Sequence, residues 1–245
     1  MKKILIGCLF LLTACQSATP TFAPSLFPTS TPQSTLISVT SFPEPSPTLE
    51  PTETPFPNFF TNEFDSSLAG WVILQAGNEA TPNVKIEEGR LTLEMDSSYT
   101  WDYALYGAQD YSNVRIDTQF TNRALTPAST GLICRYSEDK GWFEYNVSAD
   151  GTYNVLLGKW LDVGISQYTP ITDGSSKLIL PTGSTQTIGL ACIDSMLSLY
   201  INDTLVRKVD VSSYNLPAGK VGLATASYEN TPIVIGFEWA KVSAP

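Results

Sequence analysis

Histidine is absent from the 245-residue chain. Its absence removes the commonest general base, the Ser-His and Cys-His nucleophile pairs, and the ligand that most transition-metal sites need. Basic residues are also few, because from Asn58 onward 12 Lys and Arg stand against 21 Asp and Glu, a net charge of −9. An acidic domain repels phosphate backbones, so nucleic acid is not an expected partner.

A long apolar run is lacking as well. The apolar stretch Ile4 to Leu12 is too short to span a bilayer as a permanent helix. It follows two lysines and ends in Leu-Thr-Ala-Cys, and it resembles the signal of bacterial lipoproteins. The resemblance implies a signal peptide over residues 1–15 and a lipid on Cys15, which would anchor the protein outside the cytoplasm, on the cell membrane or the outer surface. The alternative is an ordinary signal peptide, which would leave Cys15 as a free thiol.

Residues 16–57 carry ten of the seventeen prolines, three glutamates and no Lys or Arg. Such a segment cannot bury enough apolar surface to fold. Its prolines favour an extended backbone of about 3.1 Å per residue. We expect a disordered linker that holds the following domain on the order of 100 Å from the membrane at most.

From Asn58 the sequence changes to short alternating apolar runs divided by Gly, Asn, Asp and Pro, with no convincing amphipathic helix. This pattern predicts an all-β sandwich or barrel over residues 58–245. The predicted strands are Trp71–Leu74, Val84–Ile86, Arg90–Met95, Tyr103–Tyr106, Val114–Thr121, Gly131–Ser137, Trp142–Ser148, Thr152–Leu157, Lys177–Leu180, Thr185–Ile193, Met196–Ile201, Leu205–Val209, Lys220–Ser227 and Ile233–Val242.

Three of these strands, in Gly131–Leu157, form two predicted hairpins. If the first turn is the four-residue loop Glu138–Gly141, Arg135 pairs with Glu144. If the second turn is the three-residue loop Ala149–Gly151, Asn146 pairs with Asn154. A two-residue second loop would place Asn154 in the core, which argues against it.

One face of these hairpins is apolar and the other is amphipathic, since side chains alternate along a strand. Sugar binding requires an aromatic platform and planar polar groups, and the amphipathic face has this composition. The alternative for Trp142 is a structural cover at the hairpin end. The predicted ligand-binding residues are Arg135, Trp142, Glu144, Asn146 and Asn154, with Trp101, Tyr103 and Trp160 at the rim, whereas Trp71 and Trp239 are expected in the core.

The strand Val114–Thr121 alternates in the same way. It points Arg115, Asp117 and Gln119 outward, on a face that could continue the polar surface of the hairpins. Cys134 and Cys192 both point to the core in this reading, and in an exported protein a disulfide between them is expected. Two separate buried thiols are the alternative.

One set of turns and core positions recurs along the domain at Phe64–Ser66, Gly70–Trp71, Gly89–Leu91, Gly131–Arg135, Phe143–Tyr145, Gly189–Cys192, Leu197–Asn202, Gly219–Leu223 and Phe237–Trp239. Together they resemble a concanavalin A-like (laminin G-type) jelly roll, and more narrowly the bacterial extracellular domains of the 3-keto-disaccharide hydrolase-like group. The resemblance implies a jelly-roll β-sandwich of two antiparallel sheets over essentially the whole domain. It also makes calcium conceivable, through oxygen ligands such as Asp65 and Glu238, although no ligand loop can be read.

The chain departs from this family at two turns and one link. Asn202–Asp203 stands where Asn-Gly is usual, Glu238 stands where Asp is commoner, and the link Gly158–Ser184 is longer than usual. The long link leaves the shape of one loop, and any ligand contact it makes, undefined.

Glycoside hydrolysis needs two carboxylates about 5 to 10 Å apart. Many enzymes of this fold carry them on one strand as Glu-x-Asp-x-x-Glu, and this sequence has no such run. An ion pair with Arg135 would also hold Glu144 ionised. The sequence therefore favours a protein that is not an enzyme. It predicts a lipid-anchored, non-catalytic module that binds a glycan or cell-wall polysaccharide; the alternatives are a 3-keto-disaccharide-type hydrolase and a structural or protein-binding envelope protein.

Overall fold

The computed structural model describes residues 56–78 and 81–245. The predicted signal peptide, Cys15 and nearly all of the predicted linker therefore lie outside the described residues. Within the described residues, no helix has the length and apolar character that crossing a membrane requires.

The described residues form fifteen β-strands. Alternating apolar residues and frequent Gly, Asn and Asp turns favour strands over helices throughout. The strands are β1 (Phe60–Asn62), β2 (Trp71–Ala76), β3 (Asn83–Glu87), β4 (Arg90–Met95), β5 (Trp101–Tyr111), β6 (Val114–Asn122), β7 (Ser129–Ser137), β8 (Gly141–Ser148), β9 (Thr152–Asp162), β10 (Ile165–Ser175), β11 (Thr185–Ile193), β12 (Met196–Ile201), β13 (Thr204–Asp210), β14 (Gly219–Ala226) and β15 (Ile233–Ser243).

Two antiparallel sheets pack face to face. The eight-stranded sheet has the order β13-β12-β11-β6-β15-β4-β3, with β1 paired to β15, and the seven-stranded sheet has the order β10-β9-β8-β7-β14-β5-β2. Sequence neighbours such as β5 and β6 lie in different sheets, so the chain crosses repeatedly between layers. The predicted jelly-roll β-sandwich is confirmed.

The interior between the sheets is apolar. Leu91, Ile116 and Phe237 from the eight-stranded sheet and Leu132 and Phe143 from the seven-stranded sheet are fully buried. Burying such side chains contributes roughly 1.5–3 kcal/mol each relative to exposure. The alternation read from β4 and β6 is therefore the alternation that builds the core.

The disulfide joins the two sheets. Cys134 on β7 and Cys192 on β11 are bonded, both are fully buried, and their Cα atoms are 6.7 Å apart. The predicted bond is confirmed. Closing a loop of this length contributes roughly 4 kcal/mol on the chain-entropy estimate.

The second predicted hairpin is confirmed and the first is wrong in register. Asn146 pairs with Asn154, as expected. Glu144, however, pairs with Ile133 on β7. The turn is the three-residue loop Glu138–Lys140, and a bulge between Cys134 and Ser137 absorbs one more residue. Arg135 lies in this bulge with φ 54°, outside the regular ladder. A shift of two residues keeps the side chains up to Cys134 on their predicted face. Tyr136, which was expected on the core face, follows the bulge and lies on the outer face with Trp142.

The long link between Gly158 and Ser184 contains the end of β9 and all of β10, a strand that the sequence did not indicate. The strand predicted at Lys177–Leu180 is a loop instead. β10 was missed because polar residues and Pro170 interrupt its alternation. β1 was missed because it has only three residues.

The β9–β10 hairpin folds back over the outer face of the seven-stranded sheet. We call its distal part, Gly158–Pro170, the arch. At its tip the Gly164 carbonyl accepts a hydrogen bond of 2.9 Å from the Gly77 amide, beyond the end of β2 at the opposite edge. Tyr168 on β10 also contacts Trp101 on β5, with ring centroids 5.7 Å apart. In a flat sheet these two strands would be about 24 Å apart, so the sheet is strongly curled.

Asp102 lies on β5 between two outward-facing aromatic residues, and its own side chain points into the sandwich. It is fully buried. The Gln75 amide donates to Asp102 Oδ1 at 2.9 Å, and Oδ2 has no hydrogen-bond partner among the described residues. Burial raises the pKa of Asp102 to about 6, and the Gln75 hydrogen bond lowers it in part. A carboxyl of this kind costs stability when it is ionised.

Asp102→Asn should make the free energy of unfolding less dependent on pH. In the wild type the unfolded chain releases this proton near pH 4 and the folded chain near pH 6, so stability is lost as pH rises between these values. The loss attributable to Asp102 should be about 3 kcal/mol at most. Urea denaturation at pH 4 and pH 7 measures it.

Asp150→Asn provides the control of opposite sign. Hydrogen bonds from Thr152 lower the pKa of Asp150, so its contribution to stability is present above the unfolded pKa and is lost as the pH falls through the lower folded value. If Asp102→Asn and the wild type lose equal stability between pH 4 and pH 7, the buried carboxyl is not the source of the dependence.

Candidate functional site

An aromatic cluster occupies the outer face of the seven-stranded sheet, beneath and within the arch. Trp142 lies at its centre. The ring centroid of Trp142 lies 5.3 Å from that of Trp160 and 5.5 Å from that of Tyr136. It lies 5.7 Å from that of Tyr103 and 6.1 Å from that of Tyr168. The aromatic cluster comprises Trp101, Tyr103, Tyr136, Trp142, Trp160 and Tyr168.

Trp142 was expected on an exposed face, and this expectation is wrong. Its side chain is fully buried, because the arch places Trp160 and Tyr168 over it. Gly158 makes this packing possible: a Cβ at this position would lie within 2.6 Å of the Trp142 Nε1 atom. The absence of a side chain at Gly158 therefore gives the indole its place against β9.

Glu144 lies beside Trp142 on the same face and is only 1% exposed. Trp142 Nε1 donates to Glu144 Oε2 at 2.9 Å, and Asn146 Nδ2 donates to Oε1 at 2.9 Å. Burial raises the pKa of Glu144, and these two hydrogen bonds oppose the rise. Glu144 takes part in none of the ion pairs found among the described residues.

The predicted Arg135–Glu144 pair is also wrong. The Arg135 guanidinium turns to the domain end, where it donates to the carbonyls of Ser112, Asp194 and Leu216. Burial lowers the pKa of Arg135. The bulge is the physical reason, because it takes Arg135 out of the ladder that faces β8. Arg135 therefore supports a turn and does not join the other four predicted residues.

A row of polar side chains leads from Glu144 to the surface. Asn146 is buried and its Nδ2 also lies 3.3 Å from Asn154 Oδ1. Asn154 is half-buried and pairs across the ladder with Asp173, which is exposed. Tyr228 lies close enough for Glu144 to raise its pKa, although burial is the larger cause. Four of the predicted residues thus form one connected arrangement.

A cleft of about 560 Å³ opens on the other side of the arch. Trp160 forms one wall, and its Nε1 atom donates to the Tyr136 hydroxyl at 2.9 Å. The carboxylates of Glu138 and Asp162 are the charged groups among the described lining residues, and both residues are exposed. The described lining comprises Ile73, Leu74, Gln75, Pro82, Tyr136, Glu138, Trp160, Leu161, Asp162, Val163 and Gly164.

The structure brings the predicted rim residues Trp101, Tyr103 and Trp160 together in the aromatic cluster. The sequence missed Tyr168 and the arch that carries it. An available signal was the apolar series Leu161, Val163 and Ile165 around a glycine, which are more than half exposed in the structure. The ligand-binding role of the five predicted residues stays a prediction.

Two tryptophans, Trp71 and Trp239, were expected in the core, and one of them lies there. Trp71 lies in the core, as expected. Trp239 does not: it is half-buried on the outer face of the eight-stranded sheet, with Arg115 and Asp117 in the same depression. Arg115, Asp117 and Gln119 therefore belong to the opposite sheet and do not extend the polar surface of the hairpins.

The part of the chain that the structure describes contains no cluster of acidic side chains that could bind a metal ion. No group of three or more His, Cys, Asp or Glu side chains is arranged there to hold an ion. Calcium binding through Asp65 and Glu238 is left as an untested expectation.

No protein-family model and no curated protein matches the chain. Solved structures do match at the level of the fold. The Bacillus licheniformis β-glucanase has a TM-score of 0.54 and 12% identity, over 76% of this chain and 98% of the other. A Bacteroides ovatus GH16 enzyme in complex with a G4G4G3G product has a TM-score of 0.52 and 9% identity, over 75% and 99%.

The κ-carrageenase of Pseudoalteromonas carrageenovora, in complex with an oligotetrasaccharide of κ-carrageenan, has a TM-score of 0.51 and 11% identity, over 80% and 99%. At these identities the likeness establishes the jelly-roll fold. It also corrects the expectation that the chain is not an enzyme. These neighbours are glycoside hydrolases, so the fold is one that carries glycan cleavage as well as glycan binding.

Gly158→Ala should destabilise the domain by roughly 1–3 kcal/mol, because the added methyl group overlaps the Trp142 indole and must displace it. Urea denaturation followed by tryptophan fluorescence measures the change. Ser166→Ala, opposite Trp160 in the same arch, is the control and should change stability by less than about 0.5 kcal/mol. Equal stability of Gly158→Ala and wild type would show that Trp142 is not packed against β9.

Proposed function

We propose that the domain binds a glycan in the cleft beside Trp160. We also propose that lipidated Cys15 and the linker 16–57 display this domain outside the cytoplasm. The observation that carries the binding proposal is Trp160 itself, a half-buried indole fixed at the wall of an open cleft between carboxylates and apolar side chains.

The position of Trp160 is held before any ligand arrives. Its ring contacts Trp142 on one side and Tyr103 at 6.0 Å, and its Nε1 atom is engaged by the Tyr136 hydroxyl. A fixed aromatic surface loses little side-chain entropy on binding. Such a surface suits the apolar face of a pyranose ring, whereas the carboxylates at the cleft accept hydrogen bonds from sugar hydroxyl groups.

The predicted residues Trp142, Glu144 and Asn146 support this site from below. Glu144 accepts from the Trp142 indole, and Asn146 holds Glu144 from the other side. Because the Trp160 ring packs against Trp142, these hydrogen bonds also set the orientation of the Trp160 ring, the proposed sugar-binding surface. Asn154 lies at the other end of the row, outside the lining of this cleft, so it is not a contact of a glycan bound beside Trp160.

Trp160→Ala should weaken glycan binding about tenfold or more, since it removes the platform. A glycan array screened with the purified full chain identifies the ligand, and titration calorimetry gives the affinities. Trp239→Ala is the matched control, because Trp239 is also a half-buried tryptophan but lies on the opposite sheet. Loss of affinity in Trp239→Ala with none in Trp160→Ala would contradict the proposal, and a blank array would favour a protein-binding envelope role.

The display proposal rests on the resemblance of residues 1–15 to a lipoprotein signal. Metabolic labelling with a fatty-acid analogue should mark the wild type and not Cys15→Ala. Equal labelling of the two proteins would contradict it.

A second candidate, glycan hydrolysis, is favoured by the buried Glu144. A carboxyl whose pKa is raised by burial holds its proton to higher pH, as a general acid requires. The reaction would need a second carboxylate and a movement of the arch, since Glu144 is covered. A substrate of the 3-keto-disaccharide type belongs to this candidate.

If the chain hydrolyses a bound glycan, Glu144→Gln should lower the rate at least about a hundredfold, because the amide cannot protonate the leaving group. Product release from each array hit, followed by chromatography, measures the rate. Asp162→Asn is the control for a carboxylate that only contacts the ligand. Turnover by Glu144→Gln at the wild-type rate would exclude Glu144 as the acid.

A further inference from the structure

We infer that the cleft takes the end of a neutral glycan chain and excludes internal segments. This inference rests on the proposed function and names its ligand class. It follows from the way in which the arch closes the outer face of the seven-stranded sheet.

The arch bridges the sheet from one edge to the other. It leaves the sheet with β9 and β10 at one edge, and its tip is hydrogen-bonded to Gly77 at the other edge. Along its length Tyr168 contacts Trp101, and its hydroxyl contacts that of Tyr103. An internal polysaccharide segment needs an open groove across this face. The arch blocks such a groove.

The arch is also one wall of the cleft. Trp160, Asp162 and Val163 line the cleft from the arch, whereas Leu74 lines it from β2. Beneath the arch, Trp142 is fully buried and fills the space between Trp160 and the sheet. A glycan that enters the cleft cannot continue under the arch, so the cleft is blind on that side.

The polar groups at the cleft suit a chain end. A terminal sugar has a free hydroxyl group where an internal sugar has a glycosidic bond, and a carboxylate accepts hydrogen bonds from hydroxyl groups. Glu138 and Asp162 supply two such carboxylates. Since no cation balances them among the described lining residues, an anionic sugar would be repelled. The geometry and the charge together favour a neutral terminus.

The test uses the full chain and each polysaccharide that the array identifies. The probes are a ladder of its oligosaccharides, a sulfated derivative and a cyclic oligosaccharide of the same linkage, which has no end. We expect the affinity per chain to stay within about twofold along the ladder, because the number of ends per chain does not change with its length. The cyclic and sulfated probes should bind at least about tenfold more weakly.

Internal binding would give a different result. The affinity per chain would rise with length as more internal registers become available, about tenfold for tenfold more registers, and the cyclic probe would bind. Either result would overturn this inference and leave glycan binding intact. Absence of binding by any glycan would overturn the proposed function, and this inference with it.

A shortened arch provides an independent check. Replacing Leu161–Ile165 by Asn-Gly joins Trp160 to Ser166, which are paired in the hairpin, through a two-residue turn. This hairpin no longer reaches Gly77, so the cyclic probe should bind at least about tenfold more tightly than it binds the wild type. The exposed substitution Leu205→Ser, on the other sheet, is the control and should leave the binding of every probe unchanged. Equal exclusion of the cyclic probe by the shortened arch would contradict the inference.

Discussion

The curl of the seven-stranded sheet depends on the packing of Trp142. Strands β5 and β10 are separated by four intervening strands, and yet their aromatic residues meet over this indole. The arch can pack against the sheet only because Gly158 has no side chain and leaves room for the Trp142 ring. Two apolar layers result, one between the sheets and a smaller one beneath the arch. The second layer both fixes Trp160 and closes the face, so stability and the proposed specificity have the same physical cause.

Burying Glu144 in this second layer is costly, because a carboxylate without a cation loses its hydration. The two hydrogen bonds from Trp142 and Asn146 offset part of the cost, and protonation can offset more. A Leu or Met at this position would fill the space without this penalty. The carboxyl therefore has a positioning role for the Trp142 indole, and under the hydrolytic candidate it would also have a chemical one.

The sequence predicted the fold class, the disulfide and the register of the second hairpin because these depend on strict alternation and on a glycine in a tight turn. It failed where the alternation breaks. The bulge at Arg135 cannot be read from residue types, and it removed the expected ion pair with Glu144. The arch was missed because β10 is polar on both faces and pairs along only one edge. Burial of Trp142 could not be inferred, since Trp160 lies on the part of β9 beyond its predicted end and Tyr168 lies on the missed strand β10.

Trp239 gives the same lesson on the other sheet. Its place in an alternating apolar strand predicted a core position, but a bulge between Phe237 and Trp239 turns the indole outward. The curled face and the bulges arise from long-range packing, which is not encoded in a local pattern. The sequence thus predicted which residues form the site better than it predicted which of them are exposed to solvent.

Contact between a glycan and the arch at Trp160 can be observed directly, because the chain has only five tryptophans. Indole N–H resonances of the 15N-labelled full chain, recorded while an array-identified glycan is added, report on each ring separately. We expect the largest shift at Trp160, a smaller one at Trp142 and none at Trp71 or Trp239. A shift confined to Trp239, or binding with no change at Trp160, would contradict it.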